Sequence, residues 1–205
     1  MIKSLKKLKE AELKKIILLL TIAILPFMFS GCAPSAPTGV VGGTYTPQDC
    51  QNKPDAVFDP KRAADKIVVN KSEHKMYLYK DGKVIKTFPV SLGVNDKYGR
   101  KVQAGDKKTP VGRYTILDKR CHPIKYRAMT ISYPNAEDRA RAAKLGVNPG
   151  SLITIHGQPH WNKDGHGDSY TLSHDWTNGC IALTNKDLDY LWGSVRVGTP
   201  IIINE

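Results

Sequence analysis

The chain lacks an apolar run of ordinary membrane-spanning length. Its longest, Ile16 to Phe29, covers 14 residues and is interrupted by Pro26, against the roughly 17–25 that a spanning helix needs. Internal repeats are absent, which excludes repeat architectures. Acidic residues are scarce, with 19 Asp and Glu against 31 Lys and Arg and a formal net charge of +12. Such an excess favours anionic partners in general. No nucleic-acid-binding motif accompanies it, and the Lys and Arg residues are scattered, so it reads as a solvated basic face with no nucleic-acid partner. Cysteine is sparse at four residues, and each sits in a separate context.

What is present begins with a leader. A length of 205 residues with 40% apolar content suits one domain with extra segments. Residues 1–31 hold six Lys and two Glu, leaving a net charge of about +8 on the remainder. A basic start, a short apolar stretch and small residues after it describe a signal peptide. The stretch Phe29-Ser30-Gly31-Cys32 resembles the bacterial lipobox, in which cleavage precedes the cysteine and lipid is attached to it. Cys32 is therefore the expected lipidation site; an uncleaved anchor and ordinary cleavage nearby remain as alternatives. The expected location is an exported, membrane-anchored lipoprotein facing the periplasm. Ala33, rather than Asp, follows Cys32, which in a Gram-negative cell implies the outer membrane. Residues 32–63 read as a Pro/Gly-rich tether. Its Pro-, Gly-, Thr- and Ser-rich part, residues 33–54, is about 22 residues with a root-mean-square span of roughly 25 Å.

The folded domain is expected over residues 64–205. Alternation of apolar and polar residues predicts strands over 66–70, 75–79, 84–92, 110–117, 128–133, 152–156, 181–183 and 196–203. Asp81-Gly82 is a hairpin-turn signal. Residues 118–126 read as irregular. Asn135 is a candidate N-cap for a helix over 136–145 that ends at Gly146, and Thr184 or Asn185 caps a second over 186–192. The fold class is mainly β with two short helices.

Cys180 follows Gly179 and precedes the apolar run Ile181, Ala182, Leu183, which places a thiol at the rim of a buried strand. His156 ends another apolar strand and precedes Gly157. A thiol and an imidazole at two strand ends are the parts of a nucleophilic pair. An adjacent imidazolium lowers a thiol pKa from its free value of about 8.5. Backbone N–H groups around Asn178, Gly179 and Cys180 are candidate oxyanion donors. Residues 158–173 form a long Gly- and aromatic-containing loop expected to control access. Gly157, His160, Trp161, Tyr170, Trp176 and Thr177 are candidate substrate contacts. The competing chemistry is a metal site drawn from His156, His160, His166, His174, Asp164, Asp168, Asp175 and Cys180. His156 and His160 have helical spacing, but they follow a strand and flank Gly157 and Pro159. No metal and no other cofactor is therefore expected. A non-catalytic wall-binding protein is the other class. Cys50 and Cys121 remain, either as a disulfide pair in an oxidising compartment or as two unpaired thiols.

His156-Gly157, Thr177-Asn178-Gly179-Cys180-Ile181, Thr109-Pro110-x-Gly112-x-Tyr114 and Ile131-Ser132-Tyr133-Pro134-Asn135 together resemble the YkuD-type L,D-transpeptidase catalytic domain. The resemblance covers roughly residues 66–204 and implies that family's mixed β-sandwich-like fold, with a cleft over Cys180 and His156. It further implies peptidoglycan stem peptides as partners, attacked by Cys180 with His156 as base. An amine resolves the acyl-enzyme in transpeptidation, and water resolves it in the amidase or carboxypeptidase outcome. Gly157 O or another polar group, Asp175 among the candidates, would orient His156. Ala182 stands where the family commonly has Arg, and the His156-to-Cys180 interval is longer than usual. Both departures bear on substrate choice and outcome. The oligomeric state is not readable from the sequence.

Overall fold

The computed structural model describes residues 44–51, 53–162 and 167–205. The leader 1–31, Cys32 and the early tether lie outside them. Among the described residues, no helix is long and apolar enough to cross a membrane.

Eight strands form the frame: β1 (Lys66–Asn70), β2 (Lys75–Lys80), β3 (Lys83–Pro89), β4 (Gly112–His122), β5 (Tyr126–Ile131), β6 (Thr154–His156), β7 (Ile181–Ala182) and β8 (Pro200–Asn204). They run in the order β3-β2-β1-β8-β4-β5-β6-β7. The mainly β expectation holds. The sheet is mixed, because β1 pairs parallel with β8 and β6 pairs parallel with β7, while the other pairs are antiparallel. Parallel neighbours need crossovers, and the chain between β6 and β7 supplies the one that carries the site.

Alternation decides which face is buried. Ile67 and Val69 of β1, Met76 and Leu78 of β2, and Ile201 and Ile203 of β8 all enter one core. This is the two-residue period of a pleated strand with one apolar face. β5 is different: all six of its residues are buried, so it lies at the centre of its half of the sheet. The hairpin between β2 and β3 turns at Asp81 and Gly82, with φ of 50° and 74°. Positive φ at both positions is what a two-residue hairpin turn matching strand twist requires.

β4 departs from the expectation. It runs on to His122 through residues read as irregular, and its register slips between Ile116 and Asp118. Before the slip β4 pairs with β8; after it, Cys121 faces Arg127 and His122 faces Tyr126 on β5. One long strand thus serves both halves of the sheet. Its polar residues are held by cross-strand pairing rather than by their own pattern.

Four α-helices are present among the described residues: α1 (Pro47–Gln51), α2 (Ala136–Lys144), α3 (Asp168–Ser173) and α4 (Asn185–Ser194). The two expected helices are α2 and α4. Asn135 accepts from Asp138 N at 2.9 Å while Asp138 accepts from Asn135 N at 3.1 Å, a reciprocal capping box. Thr184 caps α4 by accepting from Asp187 N at 3.1 Å. The short helices α1 and α3 fall within stretches read as tether and loop. Neither has the length to form alone; tertiary partners hold them.

Those partners are clearest for α1. Arg127 donates to Cys50 O from its guanidinium, and its Nε pairs with Asp189 Oδ1 at 2.8 Å. Tyr126 donates its hydroxyl to the same carboxylate at 2.7 Å. Burial raises the Asp189 carboxyl above its ordinary range, and the Tyr126 and Arg127 donors offset part of that rise. Both charges lie in a low-dielectric setting where each depends on the other. Residues 44–51 are thereby packed onto the end of the β4–β5 hairpin and the start of α4.

Candidate active site

His156 ends β6, and its Cα partner across β5 is Ala128. The following residue has no room for a side chain. A Cβ on Gly157 would lie 2.4 Å from Asn185 Oδ1, and Gly157 N donates to Lys125 O at 3.1 Å. This close approach turns the Gly157 carbonyl back onto the imidazole, where it lies 2.8 Å from His156 Nδ1. A carbonyl only accepts, so Nδ1 carries the proton. The neutral ring then has its lone pair on Nε2. That nitrogen is buried and makes no hydrogen bond among the described residues.

Cys180 is placed by the parallel pairing of β6 with β7, in which Ile155 faces Ile181 and His156 faces Ala182. Thr154 Oγ1 lies 3.5 Å from Cys180 Sγ. Thr154 and His156 are two residues apart on one strand and share a face, so the sulfur sits on the face from which the imidazole projects. Cys180 and His156 are both wholly buried.

The Gly-Cys pairing has a steric cause. Gly179 adopts φ +112°, and a Cβ there would lie 2.5 Å from Lys108 O, so no other residue fits this approach. Thr177 locks the same turn. Its hydroxyl lies 2.9 Å from Leu92 O and 2.7 Å from Cys180 O, and it accepts from Gly179 N at 3.1 Å. Thr177, expected at the substrate, is buried and shapes the backbone instead. Gly179 N–H, expected as an oxyanion donor with Asn178, is directed to Thr177. Exchanges of backbone hydrogen bonds between Ser91 and Ala182 fix the start of β7.

Electrostatics favour a neutral imidazole at His156. Burial holds the His156 imidazole well below its usual value, and the Lys125 cation adds to this; the Gly157 carbonyl opposes both, and His122 contributes weakly in the lowering direction. Lys125 is itself lowered to about 8, chiefly by burial.

Asp175 does not orient His156. It pairs with His74 Nε2 at 3.0 Å and accepts from Leu92 N at 2.7 Å. The Gly157 carbonyl takes the orienting position. Trp176 packs on the His156 ring with centroids 5.6 Å apart and donates Nε1 to Thr171 O at 2.9 Å. Sequence reading missed Thr154, although the two-residue strand period places it beside His156. It also missed Lys125, whose closeness to His156 arises only in the fold.

The intervening loop is built around Gln158. Its side chain donates to Asp168 Oδ1 at 2.6 Å and to Thr171 Oγ1 at 3.2 Å, and its Oε1 accepts from Asn185 N at 3.0 Å. His160 and Trp161 lie in a 3-10 turn, His160–Asn162. Trp161 stacks edgewise on Tyr170 at 5.4 Å, and Tyr170 on His174 at 5.0 Å. These aromatics support one another, while among the described aromatic rings Trp176 is the one packed on the imidazole. Asp164 and His166 lie outside the described residues. Among the described residues, no group of three or more His, Cys, Asp or Glu is placed to hold a metal ion. A cavity of about 390 Å³ lies beyond Gln158, against Tyr45, Asp49 and Lys186, and neither Cys180 nor His156 lines it.

Residues 64–203 match the family described as YkuD, L,D-transpeptidase catalytic domain. The chain is 28% identical over 162 residues to a probable L,D-transpeptidase of Escherichia coli, ErfK/SrfK, covering 73% of this chain and 47% of that protein. A second probable L,D-transpeptidase of Escherichia coli, YcfS, is 26% identical over 162 residues, covering 71% and 46%. The chain therefore spans about half the length of these curated relatives. Its fold is similar to the crystal structure of the helical cell shape determining protein Pgp2 from Campylobacter jejuni. That likeness has a TM-score of 0.52 at 24% identity, over 82% of this chain and 52% of that one. With the match spanning the whole sheet, both strand ends and the turn that carries the cysteine, the chain belongs to the YkuD L,D-transpeptidase catalytic-domain family.

Proposed function

We propose that the chain acts on peptidoglycan stem peptides through a Cys180 acyl-enzyme and completes L,D-transpeptidation. The observation that carries this reading is the imidazole of His156. Its Nδ1–H is committed to Gly157 O, and its free lone pair is on the face of β6 that holds Cys180. In the reaction, His156 Nε2 takes the thiol proton as the sulfur adds to the carbonyl of the third stem residue. The carbon–nitrogen bond breaks, the imidazolium returns its proton to the leaving amine, and a thioester remains. An acceptor amine then attacks the thioester, loses a proton to His156, and releases the thiolate. Water in place of that amine gives hydrolysis by the same pair.

Incubation of the reduced protein with defined tetrapeptide muropeptides, with products resolved by mass, tests this. A 3-3 crosslinked dimer is the expected product. Shortened monomer alone would move the assignment to hydrolysis, and unchanged muropeptides would overturn the function.

We propose, further, that the chain is exported and anchored to a membrane through lipid on Cys32, from the Lys-rich start, short apolar run and lipobox-like residues. The tether then lets the domain reach peptidoglycan from the membrane surface. Metabolic labelling with a fatty acid is expected to mark the protein and to fail in Cys32→Ala. Secretion of the unaltered sequence as an unlipidated soluble protein would refute the anchor.

A further inference from the structure

Cys50 and Cys121 are both free thiols, one buried and one exposed, and the chemistry of Cys180 uses neither. They are 71 positions apart in sequence, yet they line one cavity of about 160 Å³ together with Tyr45, His122 and Pro123. Cys50 is on α1 and donates its S–H to Tyr126 O at 3.1 Å. Cys121 is on β4, cross-strand from Arg127 and next to His122, which faces Tyr126. The sulfur of Cys50 is therefore held over the end of the hairpin that carries Cys121. Burial, with the neighbouring Cys121 thiol adding to it, pushes the Cys50 thiol up to about 12.

We propose that Cys50 and Cys121 are a redox pair whose disulfide clamps residues 44–51 onto the catalytic domain. The two thiols have unequal roles. Exposed Cys121, as thiolate, attacks one sulfur of a small-molecule disulfide and expels one thiolate, leaving a mixed disulfide. Cys50 then attacks the Cys121 sulfur, its proton passing to solvent and its second leaving thiolate departing. The balance is two protein thiols and one external disulfide giving one protein disulfide and two external thiols.

The clamp has something to hold. Tyr45 N donates to Pro123 O at 2.7 Å, and the Tyr45 ring packs on Tyr126 at 5.2 Å. Asn185 Nδ2 donates to the Tyr45 hydroxyl at 2.8 Å, and Asn185 Oδ1 accepts from Gln158 N at 2.9 Å. Gln158 follows directly on the glycine whose carbonyl orients His156. The clamped segment is thus one wall of the 390 Å³ cavity and the outer support of the loop beside the imidazole.

The test reduces the full chain, exposes it to oxidised glutathione, blocks remaining thiols and maps peptides without reduction. The expected result is a peptide containing Cys50 linked to one containing Cys121, lighter by two hydrogens than the two thiol peptides. Closure of a loop of roughly 70 residues is expected to raise Tm by something on the order of 5–10 °C. Dithiothreitol should reverse both changes, and Cys121→Ser, at an exposed position, should show neither. Recovery of Cys50 as a blocked free thiol while Cys121 carries glutathione, or pairing of either with another cysteine, would overturn the pair. A Cys50–Cys121 link that leaves Tm unchanged would overturn the clamp.

Discussion

Cys180→Ala is expected to abolish acyl-enzyme formation, with turnover reduced by at least about 10⁴-fold. The sulfur is the only atom at this position able to form the thioester, and no neighbour substitutes for it. Thr154 Oγ1, 3.5 Å from the sulfur, is a hydroxyl on the adjacent strand whose Cβ branch fixes its direction. The variant should still fold. Cys180 is wholly buried, but losing one sulfur atom from a packed site costs only about 1 kcal/mol. The strand start is held independently by the Ser91–Ala182 backbone bonds and the Thr177 hydroxyl. The measurement is intact-protein mass after incubation with muropeptide, in reductant, with circular dichroism on the same sample. An acyl adduct on a folded Cys180→Ala protein would remove the nucleophile assignment. A chelator should leave the wild-type rate unchanged, whereas loss of activity on removing a metal would move the chemistry to the histidine-rich loop.

The parts of this molecule that were legible in sequence are those in which local pattern and tertiary environment agree. In β1, Ile67 and Val69 alternate with partly exposed neighbours because one face meets the core. Asp81-Gly82 turns because both positions need positive φ. Asn135 caps α2 through a side chain three residues from its partner. The placement of His156 and Cys180 at strand ends was readable because a glycine beside each marks a close backbone approach. What was not legible depends on contacts distant in sequence. Residues 118–122 carry no strand pattern, and cross-strand pairing to β5 extends β4 over them. The five-residue helix α1 forms because Arg127, 77 positions away from Cys50, donates to its carbonyl. Asp175 looked able to reach His156 but is taken by His74, 101 positions distant. The hydroxyl of Thr177 illustrates the same limit within the motif itself. Its place in the sequence suggested substrate, and the backbone geometry around Gly179 uses it instead.

Replacing His156 by Ala is expected to slow acylation by about 10²–10⁴-fold, and the pH dependence of the two proteins should separate its role as base from any structural part. Burial, aided by the Lys125 cation, holds the imidazole neutral to well below its ordinary value near 6.5. The acid limb of the wild-type acylation rate should therefore lie below pH 6.5, because protonation of Nε2 is what removes the acceptor for the thiol proton. The variant should lose that limb. The same depression sets the sign of a stability effect. The unfolded chain binds a proton on this histidine as pH falls through 6.5, and the folded chain does not, so stability is complete above 6.5 and declines toward the folded-state value. His122 acts in the same direction, since burial and the Lys125 and Arg120 cations lower it to about 4. Thermal unfolding between pH 7 and 4 should thus show a shallower acid loss in His156→Ala than in wild type, with the part due to His122 retained. An acid limb centred at or above 6.5, with the protein still folded there, would contradict a buried neutral base. Equal acylation rates in the two proteins would remove His156 from the chemistry and leave its Gly157 contact as a purely structural feature of the strand end.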